Sequence, residues 1–349
     1  MNSEGGEPRE QLRILCVDGG GIRGLIPALV IAHIEKRLKE KFGSETQMAD
    51  CFHLFAGTST GGLITLALNR PEAHPASELP LFYTEDGPKV FNRSLARKVK
   101  TAWGMKGPKY DDGPLREAVH KRVGDSRLAD ARRDLLLPSY DMTSHEPFFF
   151  KRWKAQADPQ WNFSFLDAGL STAAAPTFFP SHGLGDRALV DGGVVANNPT
   201  IAAISEALGR SSDPPARPAL KDLLVVSVGT GEFSEGFQQS EVSRWGMLDW
   251  MTAGGQPQVI SVLQQGTALG ANYWAHMLLN HERGEPGPSA AELGRGPRYY
   301  RFQVDLGGEI AMDDTSPETL NERLPKAAAQ LISDREGEIE QVVEQLAPL

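Results

Sequence analysis

The chain has 349 residues, 36 basic and 45 acidic, for a net charge of -9. That balance argues against general nucleic-acid binding, and two cysteines are too few for a disulfide framework. No run reaches the roughly 20 apolar residues needed to span a bilayer, and the length suits the core of one large α/β domain.

Residues 1–11 are polar and read as a loose tail, with no apolar stretch of a signal peptide. A cytoplasmic location is expected, with Cys16 and Cys51 as small reduced core residues. A short β-prone run over 13–17 leads into Asp18-Gly19-Gly20-Gly21-Ile22-Arg23-Gly24. A helix is predicted over 25–42, because Ile26, Val30, Ile34, Leu38 and Phe42 recur every fourth residue. Glu35, Lys36, Arg37, Lys39, Glu40 and Lys41 fall mostly on its other face. The glycine loop thus joins a strand to a helix N-terminus, where bare N–H groups favour negative charge.

Two readings of that loop compete. Gly19, Gly21 and Gly24 fit Gly-x-Gly-x-x-Gly, a dinucleotide fingerprint. That fingerprint wants an acid at the end of the next strand, about 20 residues on. The next strand instead ends in Gly57-Thr58-Ser59. The second reading makes the loop an oxyanion hole, and a serine at the neighbouring strand end favours it. Ser59 lies in Gly57-Thr58-Ser59-Thr60-Gly61-Gly62 after an apolar run over 52–56, the pattern of a nucleophile elbow. Glycines flanking the serine permit the strained turn.

Residues 71–134 read as loops and helices, with a proline-rich start over 71–80, and suit a cap or a way into the site. Strand character resumes over 135–140 and 148–151. The aromatics Phe148, Phe149, Phe150, Trp153, Trp161, Phe163 and Phe165 are expected in the core. Asp191 closes Leu189-Val190-Asp191-Gly192-Gly193, which continues to Asn197-Asn198-Pro199. It is either a base for Ser59 or a plain Asp-Gly turn. Residues 211–215 read as an exposed linker and 223–228 as a buried strand. The rest, 231–349, reads as mainly helical, broken over 284–288, with an edge strand over 299–304. The segment 245–251 holds two tryptophans and two methionines. It suits a lipid interface, but burial in a core or subunit contact is the expectation.

Eight histidines offer a triad as a rival to a dyad. His276 and His281 follow Asp191, so the order Ser, Asp, His is available. His276 falls in a helical pattern, His182 is expected to shape a turn, and His33 and His53 read as structural.

Taken together and in this order, the blocks at 18–24, 57–62 and 191–199 resemble the patatin-like phospholipase family. The resemblance runs from about Leu12 onward. Ser139-Tyr140-Asp141 looks like the family's central strand, 171–180 like its alanine-proline helix start, and 225–231 like a later strand and turn. Residues 313–320 and the final helix look like its tail. The resemblance implies a three-layer α/β/α fold with a mainly parallel central sheet. Residues 12–230 would form the catalytic core and 231–349 a helical part packed on the same domain. It also implies a Ser-Asp dyad without histidine, with Ser59 as nucleophile and Asp191 as base. The amides of Gly19, Gly20 and Gly21, with that of Thr60, would hold the oxyanion. Arg23 would either place a lipid phosphate or carboxylate, or order the loop through an ion pair with Asp18. The activity implied is glycerophospholipid ester cleavage through an acyl-Ser59, with no cofactor, metal or calcium and with peripheral contact to a phospholipid surface. A non-lipid esterase or thioesterase on the same dyad is one rival. A cyclic-dinucleotide-gated phospholipase of anti-phage defence is the other, and no nucleotide motif supports it. Oligomeric state stays open.

Overall fold

A computed structural model describes residues 11–92, 107–210, 218–253, 257–280 and 297–349. The expected tail up to residue 10, the linker over 211–215, the break over 284–288 and His281 lie outside them.

The strands are β1 (Leu12–Val17), β2 (Leu54–Gly57), β3 (Asp134–Asp141), β4 (Glu146–Lys151), β5 (His182–Leu184), β6 (Arg187–Asp191), β7 (Leu223–Val228) and β8 (Tyr299–Phe302). They form one sheet in the order β5-β6-β3-β2-β1-β7-β8, with β4 added to β3. From β3 through β8 neighbouring strands are parallel. The pairings of β4, β5 and β6 are antiparallel. The β1 and β7 sequences, LRILCV and LLVVSV, are almost continuously apolar, as strands covered on both faces must be.

Alternation sorts these side chains into two cores. Leu15, Val17, Phe55, Leu135, Leu137, Leu224 and Val226 face one layer. Ile14, Cys16, Leu54, Ala56, Leu136 and Val225 face the other. The helices that bear on the site are α1 (Leu25–Phe42), α2 (Thr60–Leu68), α3 (Gly113–Val123), α4 (Phe165–Thr172), α5 (Gly193–Ala196), α6 (Thr200–Gly209), α7 (Met247–Thr252), α8 (Gln258–Leu279) and α9 (Leu324–Gln345). The first core takes residues of α1, α2, α3, α4 and α9, and the second those of α6 and α8. The fold is therefore α/β in three layers. The C-terminal residues are part of it, since β8 extends the sheet beside β7 and α9 lies along α1.

Helix α1 has the span its periodicity predicts, with Ile26, Val30, Ile34 and Leu38 buried. Glu35 departs from its expected outer face and is buried. Its carboxylate accepts from the amides of Met48 and Ala76 and from Lys39, which offsets its desolvation.

Two further expectations need correction. Residues 171–180 end a helix rather than start one. Pro176 carries no N–H to continue α4, and the carbonyls of Thr172 and Ala174 accept from Gly192 and Asp191 instead. His182 begins β5 rather than shaping a turn. The turn lies beyond Leu184, at Gly185, whose φ is 58°.

Candidate active site

The site arises where two strands meet end to end. Strand β4 covers one edge of β3 from Leu136 to Asp141. The opposite edge pairs first with β2, over Asp134 to Leu136, and then with β6, over Ser139 to Asp141. Because β2 is parallel to β3 and β6 antiparallel, their C-terminal ends converge on Pro138. Proline has no N–H to leave unpaired in that gap, and its carbonyl accepts from Thr172 Oγ1 at 2.7 Å. Ser59 follows β2 by two residues and Asp191 ends β6, so topology brings them together.

Ser59 has φ 53° and ψ -121°, a conformation an L-residue adopts only under constraint. Its amide donates to Thr172 Oγ1 at 3.0 Å, which holds the turn. Two neighbours must be glycine for the backbones to approach. A Cβ at Gly61 would lie 2.2 Å from the Val17 carbonyl oxygen, and one at Gly192 would lie 2.1 Å from that of Pro138. Ser59 Oγ donates to Asp191 Oδ2 at 2.6 Å. Asp191 is buried, and its Oδ1 accepts from the Gly193 amide at 2.7 Å. Burial pushes its carboxyl up to about 6, opposed by the bonds from Ser59 and Gly193. A carboxylate starved of water in this way is a stronger base than one in solution.

The described histidines stand elsewhere. His182 bonds Asp167, His33 bonds Glu336, and His53 accepts from the Arg13 amide. His276 packs edge-on against Tyr299. None lines the pocket that holds Ser59 and Asp191.

The glycine loop passes beside Ser59. The Gly19 amide donates to the Asn197 carbonyl at 3.0 Å and so faces away from the pocket, contrary to its expected role. Gly21, at φ 60°, lines the same pocket as Ser59 and Thr60. The amides of Gly20 and Gly21 meet no acceptor among the described residues. The Asn197 side chain also reaches the Gly19 carbonyl, at 3.4 Å. The Asn-Asn-Pro stretch therefore ties the aspartate block to the glycine loop, a role its sequence did not reveal.

Asp18 does not pair with Arg23. Its carboxylate takes both guanidinium nitrogens of Arg301 on β8, at 2.8 and 2.5 Å, and both side chains are buried. An arginine inside the aromatic strand Tyr299-Tyr300-Arg301-Phe302 was the available signal for this pair. Arg23 instead donates through Nε to the Gly20 carbonyl at 3.3 Å and lies over the Phe233 ring. No described carboxylate is within ion-pair distance of it, and burial pushes its pKa down to about 10.

Ser59 and Asp191 line one pocket. Its walls are mostly apolar, with Leu63, Phe82, Phe91, Leu115, Phe178 and Phe179 among them. Phe82, Phe91 and Leu115 come from the stretch expected to cap the site. Such walls suit an apolar group held beside the serine. Among the described residues no three His, Cys, Asp or Glu side chains cluster as metal ligands would.

A family model described as "Patatin-like phospholipase" matches residues 15–204, more than half the chain. The chain belongs to the patatin-like phospholipase family. The matched span holds the glycine loop, the elbow and the Asp191 block of this patatin-like protein. Patatin-like protein 2 of Arabidopsis thaliana is 38% identical over 282 residues, covering 73% of this chain and 69% of that one. Patatin-07 of Solanum tuberosum is 30% identical over 369 residues, covering 93% and 91%. The crystal structure of VipD from Legionella pneumophila is also similar, at 12% identity and a TM-score of 0.40, over 93% of this chain and 67% of that one. As a patatin-like phospholipase the chain is a member of a family of serine acyl hydrolases.

Proposed function

We propose that this protein cleaves the ester bonds of glycerophospholipids with Ser59 as nucleophile and Asp191 as its base. The 2.6 Å hydrogen bond between Ser59 Oγ and a buried carboxylate carries the reading. As Oγ attacks the ester carbonyl, Asp191 takes its proton. The carbonyl oxygen becomes an oxyanion, for which the amides of Gly20, Gly21 and Thr60 are the candidate donors, Gly21 and Thr60 lining the same pocket as Ser59. Losing one such donor typically costs about 3 kcal/mol. Collapse breaks the ester C–O bond, and Asp191 returns its proton to the departing lysophospholipid alcohol. Water, deprotonated by the same carboxylate, then releases fatty acid from acyl-Ser59. Arg23 lines a neighbouring pocket with Thr230 and Phe233, not the one that holds Ser59, and its bond to the Gly20 carbonyl favours ordering the loop over holding a lipid phosphate.

An esterase or thioesterase on the same dyad would differ in the acyl chain it accepts, and the apolar walls of the pocket favour a lipid acyl group. The plant patatins named above give the nucleotide-gated reading no support. The test is fatty-acid release from phospholipid vesicles by wild type and Ser59→Ala, with and without cyclic dinucleotides. Serine-dependent release without additive is expected. Release only with a nucleotide would establish gating, and release only from short-chain or thioester substrates would replace the lipid reading.

A further inference from the structure

Thirteen of the fifteen large apolar side chains exposed among the described residues lie between Phe237 and Leu278. A soluble surface rarely gathers so many in one place. On α8 the outward residues Val259, Val262, Leu263, Leu269, Tyr273, Trp274, Met277 and Leu278 recur at three- and four-residue spacing. They line roughly 30 Å of helix. The inward face carries Ala268, Ala271 and Ala275, small enough for α8 to sit close on α5 and α6. Beside this stripe, Met247 and Leu248 of α7 are 81% and 69% exposed. They rise from a base of edge-packed Phe237, Trp245 and Trp250.

We propose that this α7–α8 face seats the enzyme on a phospholipid bilayer by apolar insertion. The proposal rests on the reading of function above. Three observations favour lipid over a second copy of the chain. First, α8 is also a wall of the site: Gln264 lines the cavity with Ser59 and Asp191, and α8 packs on α5, which begins two residues after Asp191. A bilayer on the outer face of α8 lies about one helix diameter, roughly 10 Å, from that wall. A second copy seated there would hold the lipid surface away from it. Second, the 22 residues of α8 include no Asp, Glu, Lys or Arg. Third, the exposed set mixes aliphatic side chains with tryptophan and tyrosine, which settle at the headgroup boundary. The net charge of -9 gives no general attraction to anionic lipid. Attachment is therefore hydrophobic and suited to zwitterionic membranes.

The experiment is co-sedimentation of the full chain carrying Ser59→Ala with phosphatidylcholine vesicles, at low and high salt. Met247→Asp/Leu248→Asp and Val262→Asp/Trp274→Asp are added in turn. None of these four side chains lines the catalytic cavity. Binding independent of salt is expected, falling at least about tenfold in each double variant. In the chain with Ser59 intact, the same variants should lose vesicle hydrolysis in parallel and keep hydrolysis of a water-soluble short-chain ester, which shows that they fold. Unchanged vesicle binding in the variants, or no binding by the parent, would overturn the proposal. So would binding that appears only with anionic lipid and disappears at high salt. A dimer that the variants dissociate, with no change in vesicle binding, would assign the face to contact between copies. Because binding is read without turnover, the docking surface and the hydrolase reading fail separately.

Discussion

At the scale of single residues, Asp191 works against the stability of the fold that holds it. Its pKa rises from the usual 3.8 to about 6, with burial as the largest cause. Between those values the native state binds more protons than the unfolded one, so folding stability falls as pH rises and levels off above about 6. The penalty is therefore fully present at neutral pH. Asp191→Asn should lower turnover at least about a thousandfold. The same change should raise stability at neutral pH by about 1–3 kcal/mol, read as a higher denaturation midpoint. If midpoint and activity fell together, the residue would be structural. The wild-type rate should drop as pH falls through about 6, where the base becomes protonated. A rate profile flat down to pH 4 would count against Asp191 as the base.

At the scale of elements, the glycine loop is tied to the sheet from three sides. Asp18 pairs with Arg301 on β8, Gly19 bonds Asn197 beyond α5, and the Ile22 amide donates to the Met312 carbonyl. The Thr230 hydroxyl adds a bond to the Gly19 carbonyl at 2.7 Å. Arg301→Met would leave the Asp18 carboxyl buried without its partner, at a cost of about 3–5 kcal/mol. A thermal midpoint lower by several degrees is expected, and Asp18→Asn in the same chain should recover much of it. An unchanged midpoint in Arg301→Met would show that the pair contributes nothing net.

At the scale of the whole molecule, the C-terminal residues are part of the catalytic sheet. Strand β8 supplies Arg301, α8 supplies a wall of the cavity, and α9 covers α1. A chain cut after residue 230 would expose the outer edge of β7 and the buried face of α1. It should show no cooperative thermal transition, and a sharp one would mean that residues 12–230 fold alone. No helix among the described residues is long and apolar enough to cross a membrane.

The sequence by itself determined what is local. A strand-to-helix turn at Ser59, glycines where backbones touch, the face of α1 and the strand that ends in Asp191 are all set by sterics and periodicity within a few residues. What depends on distant partners was decided only by the tertiary structure. Asp18 took Arg301 over Arg23, because β8 lies two strands from β1 while chain proximity guarantees no side-chain geometry. The Gly19 amide turned to a carbonyl 178 residues away. The apolar segment 245–251 was expected in a core or a subunit contact, and Met247, Leu248, Trp250 and Met251 lie outside the core, on the surface of the chain. Composition says that such side chains leave water when they can, but not whether a neighbouring element stands over them. The burial that raises the basicity of Asp191 follows the same rule: it exists only because β2 and β6 meet on one edge of β3.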